Sequence, residues 1–175
     1  MKEVIRSQQS RSTEQHFFQK KWCSGRTKPV LKPDYIVGLT DGEGCFYVQI
    51  RTSKRYRLGA TVHLHFHLKM QMDDKLLLDR VKETLRCGNV YFQIENRPTH
   101  RHCYRYSVSA QKDILQIIIP FFKKYNLNSP SKQKNFNLFC QIANLIEKKA
   151  HLTLVGLEKI RILKSKMNQV GTGLA

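Results

Sequence analysis

Apolar and polar residues alternate along two stretches in the first half of the chain. In residues 45–53 the apolar positions Phe46, Val48 and Ile50 alternate with polar ones, and in residues 61–71 every second position from Val62 is apolar. Successive side chains of a β-strand point to opposite sides, so this period of two predicts strands with one buried face. The turn between the stretches contains Gly59 and predicts an antiparallel hairpin.

The spacing of apolar residues then becomes helical before a second hairpin begins. Apolar positions in residues 76–85 predict a helix that starts after Asp73 or Asp74, and Gly88 ends the connection. The other predicted elements are a helix at 33–42, a second hairpin of 89–95 with 101–108, and helices at 111–125, 132–148 and 153–168. The order α-β-β-α-β-β-α-α-α predicts an α+β fold with four strands.

The segment before the first strand is the most informative part of the chain. Residues 36–44 read Ile-Val-Gly-Leu-Thr-Asp-Gly-Glu-Gly. Gly38 and Gly42 are four residues apart, so they share one helix face and would let a second helix approach closely. Glu43, just past this helix, would then lie beside its counterpart from the partner helix. Two carboxylates beside exposed backbone carbonyls make a site for a hard cation.

Composition favours a nucleic-acid-binding protein. The 175 residues contain 31 Lys and Arg against 13 Asp and Glu, a net charge of +18. Such an excess is typical of chains that bind phosphate backbones. Five widely spaced cysteines without a CxxC pair predict neither a disulfide framework nor a zinc ribbon, and they fit a reducing compartment. No apolar run approaches the length of a membrane span, so we expect no membrane partner.

On every predicted strand the face opposite the apolar one is rich in cationic and hydrogen-bonding side chains. Solvated strand faces usually include several acids, whereas here Glu95 is almost the only one. This bias predicts a surface for phosphates and base edges, with glutamines suited to adenine and arginines to guanine. The predicted DNA-binding residues are Tyr47, Gln49, Arg51, Ser53, Thr61, His63, His65, His67, Lys69, Asn89, Tyr91, Gln93, Arg101, Arg105 and Ser107.

The His-x-His-x-His spacing at His63, His65 and His67 has two other interpretations. The first is a transition-metal site, but rings two residues apart on a strand are about 7 Å apart. Three of them rarely bind one ion without further ligands. The second is a plain solvated surface. Base or phosphate contacts remain the favoured interpretation.

Residues 36–44 resemble the motif of the LAGLIDADG homing endonucleases. Residues 70–88, 131–136 and 151–168 also resemble segments of that family. The resemblance implies an α-β-β-α-β-β-α core with a saddle-shaped antiparallel sheet and extra C-terminal helices. It also implies a Mg²⁺-dependent double-strand break, with Mn²⁺ as a substitute, in a long near-palindromic DNA site. The alternative that the resemblance offers is an intron-encoded maturase, which binds intron RNA as a splicing cofactor.

The resemblance also implies roles for individual residues. Glu43 is the metal-binding acid, with the Gly42 carbonyl as a second oxygen ligand, whereas Asp41 supports the helix terminus. The basic residue near the scissile phosphate is Lys132, although Lys134 is only two positions away. The residue that positions the attacking water is Gln71. The alternative to Gln71 is Met70, which can be matched to the same position of the family.

A single copy of the motif predicts a homodimer. Its interface would consist of Tyr35, Gly38, Leu39 and Gly42. We expect one endonuclease domain at 33–168, a basic N-terminal tail at 1–32 and a short tail at 169–175. The first tail suits either an organellar transit peptide or a DNA-contacting arm. We expect an intracellular location, in an organelle or wherever the host intron is encoded.

Overall fold

The computed structural model describes residues 31–56, 58–95 and 101–167, so most of both predicted tails lies outside the described residues. The helices are α1 (Pro33–Glu43), α2 (Lys75–Leu85), α3 (the consecutive segments Gln111–Asp113, Ile114–Ile118 and Ile119–Lys124), α4 (Pro130–Glu147) and α5 (Leu154–Ser165). The strands are β1 (Gly44–Thr52), β2 (Ala60–Gln71), β3 (Asn89–Gln93) and β4 (Cys103–Val108). This arrangement confirms the predicted α+β fold.

The motif helix runs directly into the first strand. α1 begins at Pro33, whose fixed backbone angle suits a first helical turn, and ends at Glu43, one residue later than predicted. β1 begins at Gly44 without an intervening loop. A Cβ atom on Gly44 would lie 2.5 Å from the Thr40 carbonyl oxygen. Only glycine therefore fits at this junction.

The four strands form one antiparallel sheet with the order β1-β2-β4-β3. Both predicted hairpins are present, and β4 joins them by pairing with β2. In the first hairpin Phe46 pairs with Phe66, so the predicted apolar positions fall on one side of the sheet. The described helices pack their apolar residues against that side of the sheet.

The core between sheet and helices is built around aromatic rings. The ring of Phe46 lies 5.2 Å from that of Phe66, 5.4 Å from that of Phe122 and 5.0 Å from that of Phe136, measured between centroids. All four residues are buried. Because Phe136 belongs to α4, these contacts hold α4 against β1.

Three local departures from the predicted elements have physical causes. The middle segment of α3, Ile114–Ile118, is a π-helical turn. It lies just before Pro120, whose ring and missing N–H disturb a regular α-helix. α4 starts at Pro130, two residues earlier than predicted. Leu31 is also buried, and its N–H donates to Thr84 Oγ1 at 3.1 Å, so the packed core includes residues before Pro33.

Among the described helices, none is long and apolar enough to cross a membrane.

The buried hydroxyl of Tyr106 gives a test of the core. It donates to the Cys87 carbonyl at 2.9 Å, and the ring is fully buried. Tyr106→Phe leaves that carbonyl without its donor and should lower the free energy of unfolding by about 1–2 kcal/mol. Tyr91→Phe is the matched control, because Tyr91 is 56% exposed and should change stability little. Equal urea midpoints for the two variants would contradict this account.

Candidate functional site

The strand register brings most of the predicted DNA-binding side chains onto one surface. Tyr47 pairs with His65, and Arg105 pairs with both Lys69 and Tyr91. Paired residues of an antiparallel sheet point to the same side. We call the surface opposite the core the polar face; its members are Tyr47, Gln49, Arg51, Thr61, His63, His65, His67, Lys69, Asn89, Tyr91, Gln93, Arg105 and Ser107.

Two of the predicted DNA-binding residues lie off the strands. The N–H of Ser53 donates to the Gly59 carbonyl at 2.9 Å, and the Ser53 hydroxyl accepts from the Arg55 N–H at 3.3 Å. Ser53 therefore shapes the turn between β1 and β2 at the edge of the polar face. Arg101 precedes β4 and lines a pocket at the other end of β2.

Three aromatic side chains form a cluster in the middle of the polar face. The ring centroids of His65 and His67 lie 5.5 Å apart, with the planes inclined by 20°. The Tyr47 ring lies 5.9 Å from His65 and 6.5 Å from His67. Burial lowers the pKa of His67 to about 4, and the nearby Arg105 and His65 add to the effect. The pKa of His65 is also lowered, mainly by burial and then by His63 and Arg51.

This cluster offers hydrogen-bonding groups that the protein does not use. His65 Nε2, His67 Nδ1 and Arg105 Nε are buried, and none has a hydrogen-bond partner among the residues that the structure describes. A buried polar group without a partner costs about 1–3 kcal/mol. At neutral pH each imidazole is uncharged, so it presents one donor and one acceptor. The middle of the polar face is therefore suited to polar edges of a ligand, while Arg51 and Lys69 supply charge around it.

Glu43, the predicted metal-binding acid, lines a pocket of about 560 Å³ at the end of α1. Glu43 is exposed there, and the residues that share the pocket include Lys69, Gln71, Asp74, Glu95 and Arg101. Gln71 and its alternative Met70 both line this pocket. Lys69 Nζ donates to Glu95 Oε2 at 3.1 Å, which holds this lysine near the pocket wall. Glu43 and Gln71 are thus brought together.

The described residues provide only part of a ligand set for a cation near Glu43. Within residues 31–56, 58–95 and 101–167, no group of three or more His, Cys, Asp or Glu side chains is placed to hold a metal ion. The three histidines of β2 are not among such groups in the described residues. Glu43 and the carbonyls at the end of α1 are hard oxygen donors of the kind that Mg²⁺ prefers. They would form part of a site.

Asp41 and Lys132 connect the end of α1 to the start of α4. The Asn128 N–H donates to Asp41 Oδ2 at 2.9 Å, and the Ser129 N–H donates to Asp41 Oδ1 at 3.2 Å. Lys132 Nζ donates to the Gly44 carbonyl. Lys132 is therefore held beside the residue that follows Glu43, whereas Lys134 is exposed.

The predicted interface residues of α1 leave an open helix face. A Cβ atom on Gly38 or Gly42 would meet no atom of the described chain within 4 Å. Tyr35 is 51% exposed, and Leu39 is partly buried against the core. The described residues therefore do not cover the face that the two glycines share.

Lys164 belongs to the site, although the sequence analysis did not identify it. α5 places its ammonium over the Tyr47 ring, 5.9 Å from the centroid. A lysine in this position adds positive charge beside the histidine cluster. The sequence feature that could have indicated Lys164 is the basic character of the last predicted helix, which contains Arg161, Lys164 and Lys166.

Comparison with known protein sequences identifies related endonucleases. The family model described as LAGLIDADG endonuclease matches residues 36–143. "Probable intron-encoded endonuclease 2" of Neurospora crassa is 32% identical over 138 residues, which are 79% of this chain and 29% of that protein. "Probable intron-encoded DNA endonuclease 1" of Mycosarcoma maydis is 29% identical over 112 residues, 62% of this chain and 38% of the relative. The chain thus spans well under half the length of these relatives.

Solved structures of homing endonucleases share the fold. The crystal structure of the homing endonuclease I-TnaI matches with a TM-score of 0.70 and 32% identity, over 79% of this chain and 89% of that one. I-SmaMI, bound to an uncleaved DNA target in the presence of calcium ions, matches with a TM-score of 0.73 and 32% identity. That match covers 79% of this chain but only 45% of the I-SmaMI chain.

The lowered pKa of His67 predicts a dependence of stability on pH. Its pKa is about 4 in the folded protein against an ordinary 6.5, so the unfolded chain binds more protons between these values. The contribution of His67 to the free energy of unfolding should therefore be complete above pH 6.5 and decrease as the pH falls toward 4. His67→Gln should reduce the loss between pH 7 and pH 5 by about 1 kcal/mol, a figure already discounted for solvent screening.

The matched control is His63→Gln, because His63 lies on the same strand face but is exposed. Urea unfolding at both pH values measures the difference. A pH dependence that is the same in wild type and His67→Gln would contradict the account.

Proposed function

Because the chain belongs to the LAGLIDADG endonuclease family, we propose that it is a site-specific DNA endonuclease that requires a divalent metal ion. The observation that carries the proposal is the position of Glu43, which opens into a pocket at one end of the polar face. A DNA duplex bound on the polar face would pass this carboxylate. Binding and cleavage would thus take place on one continuous surface.

The polar face would bind DNA through two kinds of contact. Arg51, Lys69 and Arg105 can bind phosphates or guanine edges, and Gln49 and Gln93 can bind adenine through two hydrogen bonds. A twisted antiparallel ribbon fits the major groove. The net charge of +18 would add an attraction that does not depend on sequence.

The residues at the end of α1 fit a magnesium ion. Glu43 provides an exposed carboxylate, and the Gly42 carbonyl is among those that a helix end leaves without an intrahelical partner. Since the described residues of one chain hold no full ligand set, a second chain and the DNA phosphates would complete it. When bound, Mg²⁺ or Mn²⁺ would supply an activated water and neutralise charge on the phosphate.

Two further side chains would assist the reaction. Lys132 would stabilise negative charge that develops on the phosphate, since its ammonium donates to the carbonyl of Gly44, the residue that follows Glu43. We favour Lys132 over Lys134 for this role because Lys134 is exposed. Gln71 would orient a water molecule, and its place in the same pocket as Glu43 supports that role over one in DNA recognition.

The functional unit would be a homodimer with a two-fold axis between the α1 helices. The structural match covers 45% of the I-SmaMI chain but 89% of the I-TnaI chain. One copy of the motif gives one open glycine face and one Glu43, so two copies of the chain would supply the pair. A two-fold assembly would recognise a near-palindromic target.

The names of the relatives support an origin in an intron. The two fungal relatives described above are both named as intron-encoded. We propose that an intron, in an organelle genome, encodes this chain too. The joined flanking exons would then contain the target site.

Replacing Glu43 tests the proposed chemistry. Glu43→Gln keeps the size of the side chain but removes the charge that would hold the ion. We expect it to bind DNA within about threefold of wild type and to cut about 100-fold more slowly or worse. The measurement is cleavage of a randomised duplex library with Mg²⁺, alongside binding in Ca²⁺, which has similar ligand preferences but looser geometry.

Glu83→Gln is the matched control, because Glu83 is an exposed acid on α2, away from the pocket. It should cut like wild type. Equal cutting by wild type and Glu43→Gln would exclude Glu43 as the metal ligand. No cutting by any variant, together with tight binding of intron RNA, would favour the maturase alternative.

Replacing Gly38 tests the assembly. Gly38→Leu inserts a side chain where two helix backbones would meet, so sedimentation should show a monomer. Within one chain the new Cβ meets nothing within 4 Å, so the monomer should keep its fold by circular dichroism. Glu83→Leu, which adds the same side chain on α2, should leave the oligomeric state unchanged. A Gly38→Leu variant that sediments as a dimer would contradict the proposed interface.

A further inference from the structure

Two helix ends at the candidate active site carry charges that their own dipoles disfavour. The carbonyl end of a helix is negative, yet Asp41 is in the last turn of α1. The amide end is positive, yet Lys132 is in the first turn of α4, which has no acid there. Each charge would stabilise the other helix end instead.

Each of the two side chains makes its hydrogen bonds at the end of the other helix. The Asp41 carboxylate accepts the N–H groups of Asn128 and Ser129, at 2.9 and 3.2 Å, just before α4. The Lys132 ammonium donates to the Gly44 carbonyl, just after α1. Ser129, the N-cap residue of α4, makes no side-chain capping bond. Asp41, 88 residues away, accepts the N–H of Ser129 itself and so holds the chain where it enters the helix.

We propose that Asp41 is a positioning residue that holds the first turn of α4 and thereby keeps the Lys132 ammonium at the Gly44 carbonyl, directly after Glu43. The inference rests on the proposed function of Lys132. Asp41 would neither bind the metal ion nor touch DNA. Its carboxylate would act through α4, and so it would affect the cleavage step rather than DNA binding.

The rest of α4 is anchored independently of Asp41. Phe136 and Phe139 are buried against Phe46, with ring centroids 5.0 and 5.4 Å from it. Loss of the Asp41 contacts should therefore loosen the first turn without unfolding the helix. The lysine side chain is long and flexible, so a loose first turn spreads its ammonium over many positions.

A double-mutant cycle tests the coupling. Wild type, Asp41→Asn, Lys132→Met and the double variant are compared in single-turnover cleavage of a duplex selected for binding in Ca²⁺ from a randomised library. Asp41→Asn should slow cleavage about tenfold while the Kd for the duplex stays within about twofold. In the Lys132→Met background the same substitution should slow cleavage less than about twofold.

Two control variants separate coupling from general effects. Asp79→Asn removes a carboxylate that pairs with Lys75 on α2 and should change neither rate nor Kd. Lys134→Met removes the neighbouring exposed lysine of α4, and Asp41→Asn should still slow cleavage about tenfold in that background. Equal slowing of cleavage by Asp41→Asn with and without Lys132, or a loss that appears in Kd alone, would overturn the inference.

A second measurement does not depend on cleavage. The Asn128 and Ser129 amides should exchange with deuterium more slowly in wild type than in Lys132→Met, because the two crossed contacts hold the same turn. This variant leaves Asp41 intact, so the result stands even if Asp41→Asn fails to fold. Unchanged exchange in Lys132→Met would overturn the coupling.

The two measurements also separate this inference from the proposed function. A Lys132→Met variant that cuts at the wild-type rate would overturn the proposed role of Lys132 in cleavage. Faster exchange of the Asn128 and Ser129 amides in the same variant would still establish that the helix ends are coupled.

Discussion

The junction between α1 and β1 is the constraint on which the candidate site depends. The helix ends at Glu43 and the strand begins at Gly44, so no loop separates the acid from the polar face. Thr40 lies so close that no side chain fits on Gly44. Tyr47, three residues after Gly44, already belongs to the aromatic cluster with His65 and His67. The distance between the proposed cleavage site and the proposed base-reading surface is therefore fixed by the backbone itself.

The polar face combines strong general attraction with an uncharged centre. Cations such as Arg51 and Lys69 attract any phosphate backbone, and this attraction alone carries no sequence information. The lowered pKa values keep His65 and His67 neutral at pH 7, so they add hydrogen bonds without adding to the general attraction. Their unpartnered nitrogens would gain most from a base edge with matching groups. This arrangement favours discrimination between sequences over affinity for all of them.

Local patterns were enough to predict much of this structure from the sequence. The period of two fixed which side of each strand is polar, and the glycine spacing identified the open face of α1. The contacts that complete the site were beyond such patterns. Asp41 and Asn128 are 87 residues apart, and Lys164 reaches Tyr47 from the last helix. Neither contact follows from periodicity or spacing, because it depends on how separate helices pack on the sheet.

The glycines of α1 have an energetic cost that the proposed homodimer would explain. Glycine inside a helix is less stable than alanine by about 0.5–1 kcal/mol, and α1 contains Gly38 and Gly42. Neither position is crowded by the described part of the chain, since a Cβ atom would meet nothing within 4 Å. Alanine would therefore fit both positions of an isolated chain and stabilise its helix. The proposed homodimer would place a second backbone against this open face, and the same contact would bring two Glu43 carboxylates together.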